Sequence, residues 1–249
     1  MDYFCKNIII SVVCVYNKPD ILESYLQKSL YDQDIQCEFI ALDNTQSQFS
    51  SAAESLNFGS NKANCDYLMF IHQDVTFSSD WLTNVLEQIS CVEKINKQWG
   101  VIGLMGMGKG GRYSGHITDL HGHLYQPPLP HEVESLDEVC LIIRKKSGLC
   151  FDESLGGFHL YGADLCLQAM TKGLSNYAID ACVQHMGQGI MGQDFWITAE
   201  RLYAKWKVKD CPISVIETTC GVFRLQSGLR AILEYKFKKL RRRLRKHIQ

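Results

Sequence analysis

The feature that most constrains this chain is an alternation. Short apolar runs, several of them rich in β-branched residues, take turns with longer segments whose apolar residues recur at helical spacing, and several of the runs end on polar residues. Residues 8–15 form a near-continuous apolar run that gives way to Tyr16-Asn17. Residues 39–42 end at Asp43-Asn44, and residues 67–71 end at His72-Gln73-Asp74. Pro19 suits a first helical turn, with Ile21, Leu22, Tyr25, Leu26 and Leu30 as the apolar stripe of a helix. Residues 50–62 and 81–95 read as two more helices, and residues 101–105 as a fourth strand. Strand and helix in this order predict an α/β domain with a mostly parallel central sheet flanked by helices. Ligands of such sheets bind beyond the carboxyl ends of the strands. Tyr16, Asn17, Asp43, His72, Gln73 and Asp74 should therefore gather along one edge.

Regular patterning lapses over residues 106–130, where glycines and Pro127, Pro128 and Pro130 break it, so a loop or flap is expected there. Gly106 to Arg112 does not make a phosphate loop, because the G-x-x-x-x-G-K-[ST] pattern is absent. Strands are expected again over residues 139–144 and 176–183. Helices are expected over 164–172 and 194–207, with one long basic helix over 225–248.

A chain of 249 residues is long enough for one large domain. No apolar run approaches the roughly 20 residues that a membrane-spanning helix needs. Residues 1–6 lack the basic flank and cleavage site of a secretory signal, so a cytoplasmic protein is expected. The eleven cysteines are odd in number and show no C-x-x-C spacing. Most, including Cys14, Cys140, Cys166 and Cys182, sit in apolar runs and read as small buried hydrophobes in a reducing compartment. The near-neutral charge hides an asymmetry. Residues 236–246 hold eight of the 26 basic residues, which leaves 18 basic against 27 acidic residues in the first 235.

From residue 7 to about 190 the pattern resembles the family 2 glycosyltransferases, with the glycosyltransferase A-type fold. The resemblance is carried by the opening strand with Tyr16-Asn17, by Leu42-Asp43-Asn44, and by Asn57-x-Gly59 before Asp66-Tyr67-Leu68. It continues through residues 70–75, Phe151-Asp152-Glu153 and residues 158–167. It implies transfer of a sugar from a nucleotide-diphospho-sugar to a hydroxyl of a saccharide or lipid-linked acceptor, by inversion, in cell-surface polysaccharide or glycan synthesis. It also implies Mn²⁺ or Mg²⁺ as a Lewis acid for the leaving diphosphate.

Carried over residue by residue, the resemblance makes Asp74 the main metal ligand, because it aligns with the second acid of the family's Asp-x-Asp motif. The first acid is replaced by His72, which is left to contact phosphate, ribose or a metal-bound water. His185 is a further candidate ligand. Tyr16, Asn17, Asp43, Asn57, His72 and Gln73 would hold the nucleotide-sugar. Asp164 is the candidate base, with His159 as a polar group near the acceptor, although the usual Glu-Asp pair is absent, with Gly162-Ala163 before Asp164. Lys109 or Arg112 could reach the diphosphate. Each has a plainer reading. Asp43 and Asp74 suit turns, and Asp164 suits the first turn of any helix. His185 could be an ordinary loop histidine.

A catalytic domain over residues 1–224 and a separate basic helix over 225–249 are therefore expected. Leu225, Leu229, Ile232, Leu233, Phe237, Leu240 and Leu244 would form the apolar stripe of that helix. It suits an anionic membrane surface, such as the inner face of the plasma membrane, or a protein partner. The acidic body argues against nucleic acid. Two rival readings are a non-catalytic sugar-nucleotide or membrane scaffold, which the lost first acid keeps open, and a nucleotidyltransferase. The second would need a glycine- and lysine-rich loop after the first strand, and residues 16–19 do not offer one.

Overall fold

The computed structural model describes residues 9–187, 189, 191–207 and 211–225. The expected α/β alternation is present. Strand β1 (Ile10–Tyr16) leads into α1 (Pro19–Leu22), a π-helical stretch (Glu23–Gln27) and α2 (Lys28–Tyr31). Then follow β2 (Glu38–Asp43), α3 (Ala52–Lys62), β3 (Tyr67–Ile71), the short β4 (Val75–Thr76), α4 (Trp81–Ile95) and β5 (Trp99–Gly103). Helix α3 begins where the Ser51 side chain accepts the N–H of Glu54, while the Glu54 carboxylate reaches back to Ser50.

The central sheet has seven strands, in the order β2-β1-β3-β11-β5-β12-β9, where β9 is His131–Val133, β11 is Cys140–Arg144 and β12 is Ser175–Ala178. Five strands point one way; β11 and β9 run against them. Alternation along the strands feeds two cores. Val12, Cys14, Met69 and Ile71 pack with Leu82, Val85 and Ile89 of α4. Val13, Phe70 and Leu141 pack on the other face with Leu56 of α3 and Leu165 of α5 (Tyr161–Thr171). The sheet is thus covered on both sides, which is why its strands read as continuous apolar runs.

The expected loop over residues 106–130 is instead largely strand. Strands β6 (Met105–Gly108), β7 (Arg112–Asp119) and β8 (Gly122–Gln126) form an antiparallel meander. Gly110 and Gly111, both at positive φ, make its first turn. The glycines that suggested irregularity thus include the ones that let the chain reverse. Two short strands, β10 (Ser135–Leu136) and β13 (Gln184–His185), join this second sheet together with β4.

Helix α6 (Gln193–Trp206) closes the fold. Its Phe195, Ala199, Leu202 and Trp206 pack on Leu160, Ala163 and Leu167. The hairpin of β14 (Val215–Glu217) and β15 (Val222–Arg224) follows. Of the expected basic helix only Leu225 falls within the described residues, where it is buried; the rest lies outside them. Among the described residues no helix is long and apolar enough to cross a membrane. Of the ten described cysteines, only Cys14, Cys65, Cys140, Cys166 and Cys211 are buried. Cys182 is half-exposed, which departs from the reading of it as a core residue.

Candidate functional site

The carboxyl edge of the sheet gathers the expected groups. Tyr16 and Asp43 are register partners at the ends of β1 and β2, and the N–H of Asn44 bonds the Tyr16 carbonyl at 2.8 Å. Hydrogen bonds from Thr45, its backbone N–H first, hold the exposed Asp43 carboxyl below its ordinary range. Burial raises the Tyr16 phenol, and the charge of Asp43 adds to that. Gln73 links the loops that follow β1 and β3. Its Oε1 accepts the N–H groups of Asn17 and Lys18 at 3.2 and 3.1 Å, and its Nε2 donates to Asn17 Oδ1 at 2.9 Å.

Beside this lies a cleft of about 740 Å³, lined by His72, Asp74, Asp137, Glu138, His159 and His185 among others. His72 Nδ1 lies 3.4 Å from His185 Nε2, which lies 3.4 Å from Asp74 Oδ1. One donor atom from each of the three falls within 4.8 Å of the others. His72 Nε2 meets the Tyr161 hydroxyl at 3.4 Å, leaving Nδ1 turned to the trio. Burial, reinforced by nearby His185, holds the His72 imidazole below its usual pKa and therefore neutral, the form that ligates. Burial alone would raise Asp74 and lower His185. Their mutual hydrogen bond and attraction outweigh it, so Asp74 is held low and His185 high. A Cβ added at Gly187 would fall 2.3 Å from Asp74 Oδ2 and 2.9 Å from His185 Nε2, so only glycine leaves this cradle open. One carboxylate and two imidazoles suit Mn²⁺ better than Mg²⁺, which favours oxygen ligands. The trio thus fits a divalent cation.

Four expected residues stand elsewhere. Asp164 is only 1% exposed and is not part of the cleft wall. Its Oδ1 accepts the Trp206 indole N–H at 2.7 Å and faces Lys205 Nζ at 2.8 Å, while Oδ2 accepts from Gln168 at 2.8 Å. Lying in the first turn of α5, it faces inward, where it anchors the end of α6. Asn57 is taken up by the loop at 151–153, with Nδ2 donating to the Phe151 carbonyl and to Glu153, and Oδ1 accepting the Phe151 N–H. Arg112 donates to the Pro127 carbonyl, and neither it nor Lys109 lines the cleft. His159 does line the cleft, edge-on to Phe195 at 5.6 Å.

The sequence reading missed Asp137 and Glu138. Strand β11 runs antiparallel to β3, with Cys140 opposite Ile71, so the residues just before β11 emerge at the same edge as His72 to Asp74. Asp137 accepts the Thr219 hydroxyl at 2.7 Å. Glu138 Oε1 accepts the N–H of Gly162 at 3.1 Å. Burial, with the Asp137 charge next, pushes Glu138 up to about 8. The signal in the sequence was an acidic pair directly before an apolar run.

Residues 10–185 match the model of a glycosyltransferase-like family. A protein of Fuscovulum blasticum described as the ATP synthase subunits region ORF 6 is 33% identical over 110 residues, 41% of this chain and 44% of that protein. The chain thus matches under half the length of that relative. Two solved structures share the fold. S. aureus TarS 1–349 in complex with UDP-GlcNAc superimposes with a TM-score of 0.53 at 13% identity, over 80% of this chain and 66% of that one. The mannosyltransferase PcManGT from Pyrobaculum calidifontis, in complex with GDP-Man and Mn²⁺, gives a TM-score of 0.53 at 13% identity, over 79% of this chain and 63% of that one.

Proposed function

Because the chain belongs to this glycosyltransferase-like family, we propose that it transfers a hexosyl unit from a nucleotide-diphospho-sugar to an acceptor hydroxyl with inversion at the anomeric carbon. The observation that carries this reading is the cleft itself, where His72, Asp74 and His185 converge beside the acid pair Asp137-Glu138. Asp74, His72 and His185 would hold a divalent cation, Mn²⁺ by donor type. When bound, it supplies positive charge against the departing diphosphate. Tyr16 and Asp43 bind the base and ribose from the neighbouring strand ends, and Gln73 with Asn17 fixes the loop between them.

Glu138 takes the place first given to Asp164. Gly162 lies two residues before Asp164, in the stretch that lacks the resemblance's Glu-Asp pair, and a Cβ there would lie 3.3 Å from Glu138 Oε1. The Glu138 side chain, from just before β11, occupies the room that a side chain at 162 would have used. In the transfer, Glu138 receives the proton of the acceptor hydroxyl as its oxygen bonds to the anomeric carbon. The bond from that carbon to the donor diphosphate breaks, and the diphosphate leaves with the electron pair. A group with pKa near the working pH is well suited to this. His159 lies on the acceptor side of the cleft.

The acceptor in this reading is a saccharide or lipid-linked hydroxyl in surface polysaccharide or glycan synthesis. Residues 1–224 act as the catalytic unit, and the basic residues beyond 235 hold it to an anionic cytoplasmic membrane face. Two solved proteins of this fold carry UDP-GlcNAc or GDP-Man, which makes uridine and guanosine diphospho-sugars the first donors to test. The test is a thermal-shift panel of these donors with and without Mn²⁺, followed by release of free sugar with no acceptor present. A donor that raises the melting temperature and is hydrolysed only with metal supports the reading. Binding without any turnover, with or without added acceptors, would support the scaffold alternative.

A further inference from the structure

The β7–β8 hairpin carries a second group of donor atoms. In its register Thr118 stands opposite His123, and His116 opposite Tyr125. Residues two apart on a strand share a face, so all four gather on one side of the hairpin. The segment leading into β13 brings Asp180 and Cys182 against them. Among the described residues, a ring nitrogen of His116, one of His123 and Cys182 Sγ lie within 4.8 Å of one another. The two imidazoles are 5.1 Å apart, edge to face. Each donor also has a supporting contact. Asp180 Oδ1 lies 2.5 Å from His116 Nδ1, and Tyr125 donates to Asp180 Oδ2 at 3.4 Å. Thr118 Oγ1 lies 2.9 Å from His123 Nδ1 and 3.7 Å from Cys182 Sγ.

Two imidazoles and one thiol are a softer set than the carboxylate and imidazoles around Asp74. Thiolate with imidazole selects Zn²⁺ over Mn²⁺ or Mg²⁺. A carboxylate on the outer nitrogen of a histidine is the usual support of a metal-bound imidazole, and Asp180 gives it to His116. His123 is solvent-exposed and lies at the cleft rim, so water can fill a fourth position. We propose that His116, His123 and Cys182 form a second cation site, of the zinc class, distinct from the one at Asp74 and braced by Asp180. On binding, the thiol proton of Cys182 passes to solvent as sulfur bonds the metal. The site ties β7 and β8 to the segment that carries His185 three residues later.

The test is a Co²⁺ titration of the full chain under reducing conditions, followed by competition with Zn²⁺. A thiolate-to-cobalt charge-transfer band is expected in the near ultraviolet. It should persist in Asp74→Asn, whose site has no sulfur, and vanish in Cys182→Ala. His123→Ala, at an exposed position, should weaken Zn²⁺ at least about 10-fold, and Asp180→Asn about 10- to 100-fold. His123→Ala gives the same comparison where Cys182→Ala does not fold. Absence of the band in the unaltered protein, or a band undiminished by Cys182→Ala or His123→Ala, overturns the proposal.

Discussion

Glu138 Oε1 accepts the backbone N–H of Gly162 at 3.1 Å, and a side chain begun at Gly162 would start 3.3 Å from that same oxygen. The carboxyl group therefore both caps the start of α5 and fills room that a side chain at position 162 would need. Glu138→Gln keeps an acceptor for the Gly162 N–H and removes the proton acceptor. Turnover should fall by about 10²-fold or more while donor binding with metal is kept. Steady-state kinetics with calorimetric donor titration check this; near-normal turnover would remove Glu138 from the mechanism.

The same carboxyl sets a pH dependence of stability. It is raised from 4.5 to about 8 by burial first and Asp137 second. The folded chain thus holds a proton there that the unfolded chain has released, over the window between these values. Its contribution is full below about 4.5 and is lost as pH rises through about 8. The slope can reach about 1.4 kcal/mol per pH unit for one group. Glu138→Gln should lessen this decline, so urea melts at pH 5 and pH 8.5 should differ less in the variant than in the unaltered protein.

Gly187 leaves no room for a methyl group beside Asp74 Oδ2. Gly187→Ala should therefore displace the carboxylate and weaken Mn²⁺-dependent donor binding by about 10- to 100-fold, the size seen when ligand support is disturbed. Asp74→Asn should abolish that binding. Thermal shift with donor, with and without Mn²⁺, reads both. Equal Mn²⁺ response in Gly187→Ala and the unaltered protein would mean that the cation sits elsewhere.

Asp164 is a matter of stability. Asp164→Ala would leave the Trp206 indole N–H without its acceptor and Lys205 with Asp152 alone. The cost should be about 2–3 kcal/mol, below that of a wholly buried pair because Lys205 keeps one carboxylate. Equilibrium unfolding measures it. Activity per folded molecule should change far less than in Glu138→Gln.

The sequence and the structure agree where the candidate site follows strand order. Tyr16, Asp43 and His72 to Asp74 close parallel strands whose apolar runs are unmistakable, so their shared edge could be read directly. His185 was reachable only through resemblance, because β13 is two residues long and pairs with β4 and β7 rather than with the central sheet. Asp137 and Glu138 were hidden by direction. A run of apolar residues does not say which way its strand points, and the antiparallel course of β11 puts its beginning, not its end, at the site. Asp164 was placed at the site in the sequence but lies away from the cleft wall, for a related reason. A first-turn acid has the same spacing whether it faces solvent, a ligand or the underside of a neighbouring helix.

The interior position of β3, between β1 and β11, has a consequence for assembly. Its tip carries His72 and Asp74, and it is held by β1, from earlier in the chain, and by β11, from some seventy residues later. No fragment ending before β11 completes that arrangement, and the partner His185 comes later still. During synthesis, competence to capture a charged ligand should arrive abruptly, once the chain has emerged through His185, rather than grow with length.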